Sequence, residues 1–492
     1  MAELDDPVSD GSDFELDYDA ELEEVADIEL FDDVEHIAAQ IFGDGDEEEL
    51  DFAGFLGGWV TDPANFQPRQ VRDYRRQCQV NANLPENPKP VDFFYLFWDD
   101  TMWRRLLVET NRYHDQQVRQ KGVAPSAPTW KPITNEEMKT FIGLILMMGI
   151  IRLPQRNDYW RIGEDCWLAH TNFNKAMSRN RFNDIWRYLH TQDNMAPAGE
   201  DRLIKLRWFL NRLCDKYQHV YTPGPTYSVD ETMVKYKGRL MFRQYMPMKP
   251  TKWGIKVWCL AESTTGYVAN FQVYTGKEGR APERGLGHRV VTDMTVPLQG
   301  TQAQVYFDNF FTSEKLLTDL ANLNIQACGT VRQDRCHDVP PRILPKTKKR
   351  PTGVVLERHQ FRVGQNDTCT FSHWQDTKPV LVMSNFHDPR AMGQVRRTTR
   401  DAAAGDNRPQ RRYIAVPACL ADYQSHMKGV DLADQMTGYY TLNHRSWKWW
   451  RRLFSTSFWS ASTTLSWCVR RPTLMRPQRR SSTSSKLWHT GW

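Results

Sequence analysis

The chain has 492 residues, enough for two or three domains and a sizeable core. It holds no run of 18 apolar residues, which argues against a helical membrane span, and its acidic start lacks the basic segment that opens a secretory signal. The formal net charge of +4 hides a sharp division. Residues 1–68 carry 23 Asp and Glu and no Lys or Arg, which leaves 37 acidic against 64 basic residues in the rest. A body with that excess points to a polyanionic partner, nucleic acid foremost; a solvated basic surface is the plainer alternative. Nine cysteines, none in a C-x-x-C pair, fit neither a disulfide framework nor a cysteine zinc site, so a reducing compartment fits and no zinc is expected.

Residues 1–65 are acidic and aperiodic, with too little apolar area to offset ordering entropy, and are expected to be disordered. Short clusters ("FELDY", "IELF", "HIAAQIF") could form transient partner-binding helices. Residues 66–91 read as a linker. Residues 92–225 read as helical: "VDFFYLFWDDTMWRRLLVETNRYHDQQ", "NRFNDIWRYLHTQDN" and "RLIKLRWFLNRLCDKYQHVY" repeat apolar residues at spacings of three to four. Their aromatic residues fit helix core better than base-stacking platforms. "FIGLILMMGI" reads as a buried helix behind a capping box of Thr134 and Glu137. From 226 to 334 the pattern is strand-like, with strands expected near 226–230, 255–261, 267–274 and 303–308 in one mixed sheet. "TSEKLLTDLANLN" reads as a helix capped by Thr312 or Ser313, and "IQACGTV" as a short strand.

Residues 335–414 read as a β-rich insertion: a basic, Pro-rich loop, three antiparallel strands, then "RRTTRDAAAGDNRPQRR" as a basic loop. Helices return over 415–454. Residues 455–492 hold 15 Ser and Thr, four Trp, six basic residues and no acid. With no convincing amphipathic period, that tail is expected to pack poorly, as a shifted reading frame or alternative exon would.

Four carboxylates stand out. Asp230, paired with Glu231, ends the strand "TYSVD"; Asp308 ends "QVYFD"; Asp431 and Asp434 share one face at the start of a helix in "KGVDLADQM". A single strand-end aspartate is usually a turn residue. Hard oxygen ligands on two strand ends and a helix nevertheless suit Mg²⁺, and two such ions about 4 Å apart would serve in-line phosphoryl transfer. Lys235, Lys237, Arg239, Arg243, Lys249, Lys252 and Lys256 follow Asp230 as a basic track that could neutralise phosphates. Arg445, Lys448, Arg451 and Arg452 in "NHRSWKWWRR" fit DNA contact or, equally, a packed helix with a basic face.

Together "VDETMVKYKGR…YMPMKPTKWGIKVW", "YTGKEG…GLGHRVV", "VYFDNFFTS" and "MKGVDLADQM" resemble the piggyBac family of DDE transposases and its domesticated derivatives, from about residue 91 to 454. The resemblance implies an α/β (α+β) chain. Its RNase H-like catalytic domain (226–334 and 415–454) would be interrupted by the β-rich insertion and flanked by a helical dimerisation and DNA-binding region. It implies Asp230, Asp308 and Asp431 as catalytic metal ligands, Asp434 as an additional catalytic acid, and two Mg²⁺ ions for which Mn²⁺ could substitute. It further implies double-stranded DNA as partner, namely transposon ends and a TTAA target, together with a homodimer, no membrane and a nuclear location. The family's cysteine-rich zinc module has no counterpart here. Two functions stand: a cut-and-paste transposase, and a catalytically silent, transposase-derived DNA-binding or chromatin protein. An unrelated RNase H-type nuclease fits the carboxylates but not the motif order.

Overall fold

The computed structural model describes residues 58–121, 130–161, 172–276, 285–401, 406–440 and 446–470, less 196, 198, 349 and 447. The expectations for residues 1–57 and 471–492, and for Arg445, lie outside them. The fold is mixed α/β. Among the described residues no helix is long and apolar enough to cross a membrane.

Five longer helices come first among the described residues, besides a single turn at Phe173–Ala176: α1 (Pro90–Phe97), α2 (Asp100–Lys121), α3 (Asn135–Ile150), α4 (Arg179–Tyr188) and α5 (Arg207–Val220). Thr134 caps α3 as its sequence suggests. The Thr134 hydroxyl accepts from the Glu137 N–H and the Glu137 carboxylate accepts from the Thr134 N–H, each at 3.2 Å. Arg181 of α4 then grips Glu137 with two bonds, at 2.9 and 2.8 Å. Trp98, Trp103, Phe141, Phe182 and Phe209 are buried in the core, whereas Tyr95 of α1 is exposed.

A nine-stranded sheet follows. Its main strands are β1 (Thr226–Lys235), β2 (Trp253–Glu262), β3 (Val268–Val273), β4 (Gln304–Phe307), β5 (Gln326–Thr330), β6 (Phe361–Gln365), β7 (Thr370–Gln375) and β8 (Pro379–Ser384). The ninth, Gln244–Tyr245, shares the outer edge of β2 with β3. The order runs β3-β2-β1-β4-β5-β8-β7-β6. The first three strands are antiparallel, β1, β4 and β5 are parallel, and β8, β7 and β6 continue antiparallel. The three strands read in 335–414 therefore extend the same sheet. Two helices interrupt the strands, α6 (Leu286–Thr295) and α7 (Glu314–Asn322). Ser313 caps α7, accepting from the Leu316 N–H at 3.2 Å.

The segment read as a basic loop is instead a two-stranded ribbon, β9 (Met392–Asp401) with β10 (Asp406–Pro417). Arginine density masked a sequence that pairs as strands, with Val395 opposite Ile414 and Arg396 opposite Tyr413, up to a register shift between Thr399 and Asp401. The chain then forms α8 (Ala418–His426), α9 (Gly429–Tyr440) and α10 (Trp449–Arg470). Here the reading of the tail needs correction for residues 455–461. Phe454, Phe458 and Ala461 fall at i, i+4 and i+7, and all three are buried. The Phe458 ring meets Trp98 edge-on at 4.9 Å, so α10 closes the helical core.

Strand periodicity divides the core. Val305 and Phe307 of β4 and Ala327 of β5 join the main core, whereas the alternating Tyr306 and Cys328 join a second cluster with Cys419, Leu420 and Tyr423 of α8. The face of β1 and β4 that carries Ser228, Asp230, Tyr306 and Asp308 is thus the one that α8 and α9 cover.

Candidate active site

Asp230 and Asp308 meet by register. Val229 of β1 lies opposite Phe307 of the parallel β4, so the next residues, Asp230 and Asp308, stand side by side. Neighbouring strands lie about 4.8 Å apart. β1 does not end at Asp230, as its sequence suggested, but runs on to Lys235. Asp308 does leave its strand: its carboxylate accepts from the Phe310 N–H at 2.8 Å, and its carbonyl accepts from the Thr312 hydroxyl at 2.9 Å.

The start of α9 is seated directly on β1. The Val430 N–H donates to Ser228 Oγ at 3.1 Å. A Cβ on Gly429 would lie 2.7 Å from Ser228 Oγ and 2.9 Å from the carbonyl oxygens of both Ala261 and Glu262, so only glycine fits. This seating lays α9 against β1, where Asp434 reaches the strand and Asp431 stays exposed. Asp434 accepts a short hydrogen bond from the Thr232 hydroxyl, two residues beyond Asp230 on the same strand face.

The electrostatics record the crowding. Loss of water, then the neighbouring Glu231, pushes the Asp230 carboxyl up to about 7. Asp308 is raised by burial and then by Asp230. Asp434 is raised to about 6 by burial, with Asp431 and Asp230 adding to it against the opposing Thr232 bond and Lys249. Crowded carboxylates of this kind gain from a cation, and hard oxygen donors suit Mg²⁺. Among the described residues, however, no three His, Cys, Asp or Glu side chains converge as a ready metal cluster. The donor chemistry of Asp230, Asp308 and Asp434 fits a divalent cation.

The basic track divides. Lys235, Lys237, Arg239 and Lys252 are exposed. Arg243 instead donates to the carbonyls of Lys237 and Gly238, at 3.0 Å each, and lies over the Trp253 ring. Lys256 sits 4.2 Å from the Trp258 ring centre, and burial lowers its pKa. Lys249 turns into the acids: its ammonium donates to the Glu231 carbonyl at 2.9 Å and lies 3.5 Å from Asp230 Oδ2. Of the second basic group, Arg451 is only 9 % exposed and donates to the Arg187 carbonyl at 2.8 Å, which packs it against the helical region. Arg452 reaches the Lys235 carbonyl at 3.3 Å, and Lys448 is half-buried before α10.

Sequence reasoning missed the polar cluster behind Asp308. Asp422 of α8 accepts from the Tyr306 hydroxyl at 2.5 Å and faces His387 Nε2 at 3.1 Å and His426 Nδ1 at 3.0 Å. These partners outweigh burial and hold its carboxyl well below the usual range, while Asp422 raises His426. Ser384 Oγ lies 2.7 Å from His387 Nδ1, but with Ser384 wholly buried this Ser–His–Asp string is closed to substrate and ties α8 to the sheet.

Residues 89–461 match the family model Transposase IS4. Human PiggyBac transposable element-derived proteins 2 and 3 are each 30% identical, over 368 and 367 residues, covering 73% of this chain and 58% of theirs. The chain thus spans somewhat over half the length of these relatives. Human PiggyBac transposable element-derived protein 5 is 21% identical over 84% of this chain and 75% of its own. The fold is similar to that of a piggyBac transposase solved by cryo-EM as a synaptic complex with hairpin DNA, with a TM-score of 0.64 and 21% identity over 82% of this chain and 80% of that one. With the family model covering about three quarters of the sequence, the chain belongs to the piggyBac family of transposases.

Proposed function

We propose that this chain is a cut-and-paste DNA transposase whose RNase H-like core cleaves transposon ends and joins them at TTAA-type targets in the nucleus, as a homodimer. The observation that carries the reading is that Asp230 on β1 and Asp308, the first residue past the end of the parallel neighbour β4, both follow the paired Val229 and Phe307 beneath the seated start of α9. The sheet order, three antiparallel strands followed by two parallel ones, supports the RNase H-like core. The DNA held by the solved relative supports the partner.

In this reading Asp230, Asp308 and Asp431 hold divalent cations, Mg²⁺ or Mn²⁺, which when bound activate a water or 3′-hydroxyl and stabilise the leaving oxygen. Thr232 orients Asp434 against β1. Exposed Lys235, Lys237, Arg239 and Lys252 hold the phosphate backbone without reading sequence.

Asp230→Asn, Asp308→Asn and Asp431→Asn test this. Each keeps size and hydrogen bonding but removes a charge, so Mg²⁺-dependent nicking and hairpin formation on an end-containing duplex should collapse while DNA affinity holds or rises. A parent protein that binds the duplex but never nicks it would leave the silent, transposase-derived DNA-binding protein as the function. Asn variants that cleave like the parent would remove the site assignment.

A further inference from the structure

Lys249 does not occupy the position of a phosphate-binding lysine. Its side chain is 26% exposed, and its ammonium lies 3.5 Å from Asp230 Oδ2 and 3.9 Å from Glu231 Oε1 while donating to the Glu231 carbonyl at 2.9 Å. Its charge also acts on Asp308, Asp431 and Asp434. One ammonium therefore serves the same carboxylates that stop short of a three-ligand cluster. Like charges set near one another gain from a cation, and here Lys249 lies against Asp230 and Glu231. Lys249 lies in a turn between Gln244–Tyr245 and β2, beside the fully projecting Met248. Its long flexible stem can therefore leave without moving a strand.

We propose that Lys249 is the resident counter-cation of the carboxylate cluster: it steadies Asp230 before a divalent ion arrives and competes with that ion for Asp230. The inference rests on the metal reading of Asp230, Asp308 and Asp431 given above. It accounts for an ammonium held 3.5 Å from Asp230 Oδ2 in a site whose donors suit Mg²⁺ in chemistry.

The test uses the full chain, with Mn²⁺ as the probe, free Mn²⁺ read by electron paramagnetic resonance, and melting followed with and without Mn²⁺. Lys249→Met should bind Mn²⁺ about tenfold more tightly, because a competing charge close to Asp230 is gone. It should melt below the parent without Mn²⁺ and regain most of that loss at saturating Mn²⁺. Lys249→Gln, neutral but still able to donate to the Glu231 carbonyl, should behave the same way if the methionine variant folds poorly. Lys249→Arg, which keeps the charge, should stay near the parent affinity. Unchanged or weaker Mn²⁺ binding in both neutral variants, or a melting deficit equal with and without Mn²⁺, overturns the inference. Mn²⁺ binding that survives Asp230→Asn overturns the metal reading beneath it instead.

Discussion

Gly429→Ala isolates the seating of α9. The new methyl would meet Ser228 Oγ at 2.7 Å and the Ala261 and Glu262 carbonyl oxygens at 2.9 Å, where ordinary contact begins at 3.4 Å. The start of α9 must therefore withdraw by roughly 0.5–0.7 Å. The neighbours cannot yield instead. Ala261 is locked in register opposite Ser228, and rotating the buried Ser228 hydroxyl would break its bond to the Val430 N–H. Overpacking of this kind costs about 1–3 kcal/mol, against which alanine returns up to ~1 kcal/mol of helix propensity. A net loss of about 1–2 kcal/mol should lower the melting temperature by a few degrees. The displacement also carries Asp431 and Asp434. Since a misplacement of about 1 Å can cost ~10²-fold, Mn²⁺ affinity and strand cleavage should fall far more than stability does. Ser228→Ala relieves one of three contacts and removes the bond to Val430, so it should not rescue. Melting, Mn²⁺ titration and cleavage of an end-containing duplex read all of this. A Gly429→Ala protein that matches the parent in all three, or one restored by Ser228→Ala, would refute the close approach as the determinant.

Phe458→Ala, which empties a wholly buried site against Trp98, should cost about 3–5 kcal/mol by urea unfolding; a loss below 1 kcal/mol would return this stretch to an unpacked tail. His426 has a folded pKa above 6.5, raised by its bond to Asp422, so its stabilising contribution is complete below pH 6.5 and fades as pH rises through the folded value. His426→Gln should flatten the stability profile on that side of neutrality, and an unaltered profile would show that the histidine contributes nothing there. Lys235→Glu with Lys237→Glu should weaken duplex binding and reduce the slope of log affinity against log salt by roughly one unit per lost phosphate contact. Arg451→Gln, changing a buried guanidinium, should lower the melting temperature and leave that slope alone.

Much of the sheet was legible because its strands alternate or are β-rich between turn residues. The strands near 226, 255, 267 and 303 all form, and the helix near 430 begins at Gly429. The capping residues Thr134 and Ser313 were legible for the same reason, since a cap is a local contract between a hydroxyl and the next turn. The ribbon of β9 and β10 was not, because its pairing depends on a partner strand while arginine composition speaks of solvent. The buried run of α10 was hidden likewise by its Ser and Thr content, although Phe454, Phe458 and Ala461 already carried the helical spacing.

The charged residues show where local reading ends. Seven cations follow Asp230 in sequence and look alike, yet Lys249 faces carboxylates, Lys256 an indole ring, Arg243 backbone carbonyls, and Lys235 the solvent. What separates them is the face of the sheet and the turn from which each side chain starts, and neither is written in a charge pattern. The same holds for the acids. Asp230 and Asp308 are 78 residues apart and meet only because β1 and β4 are parallel neighbours in a register that puts Val229 opposite Phe307. A slip of one residue in that pairing would turn the side chain of one of them to the main core, where an ionised carboxylate is costly to bury. The apolar alternation of β4, with Val305 and Phe307 inward, therefore does more than build the core: it fixes the carboxylate on the face where α9 arrives.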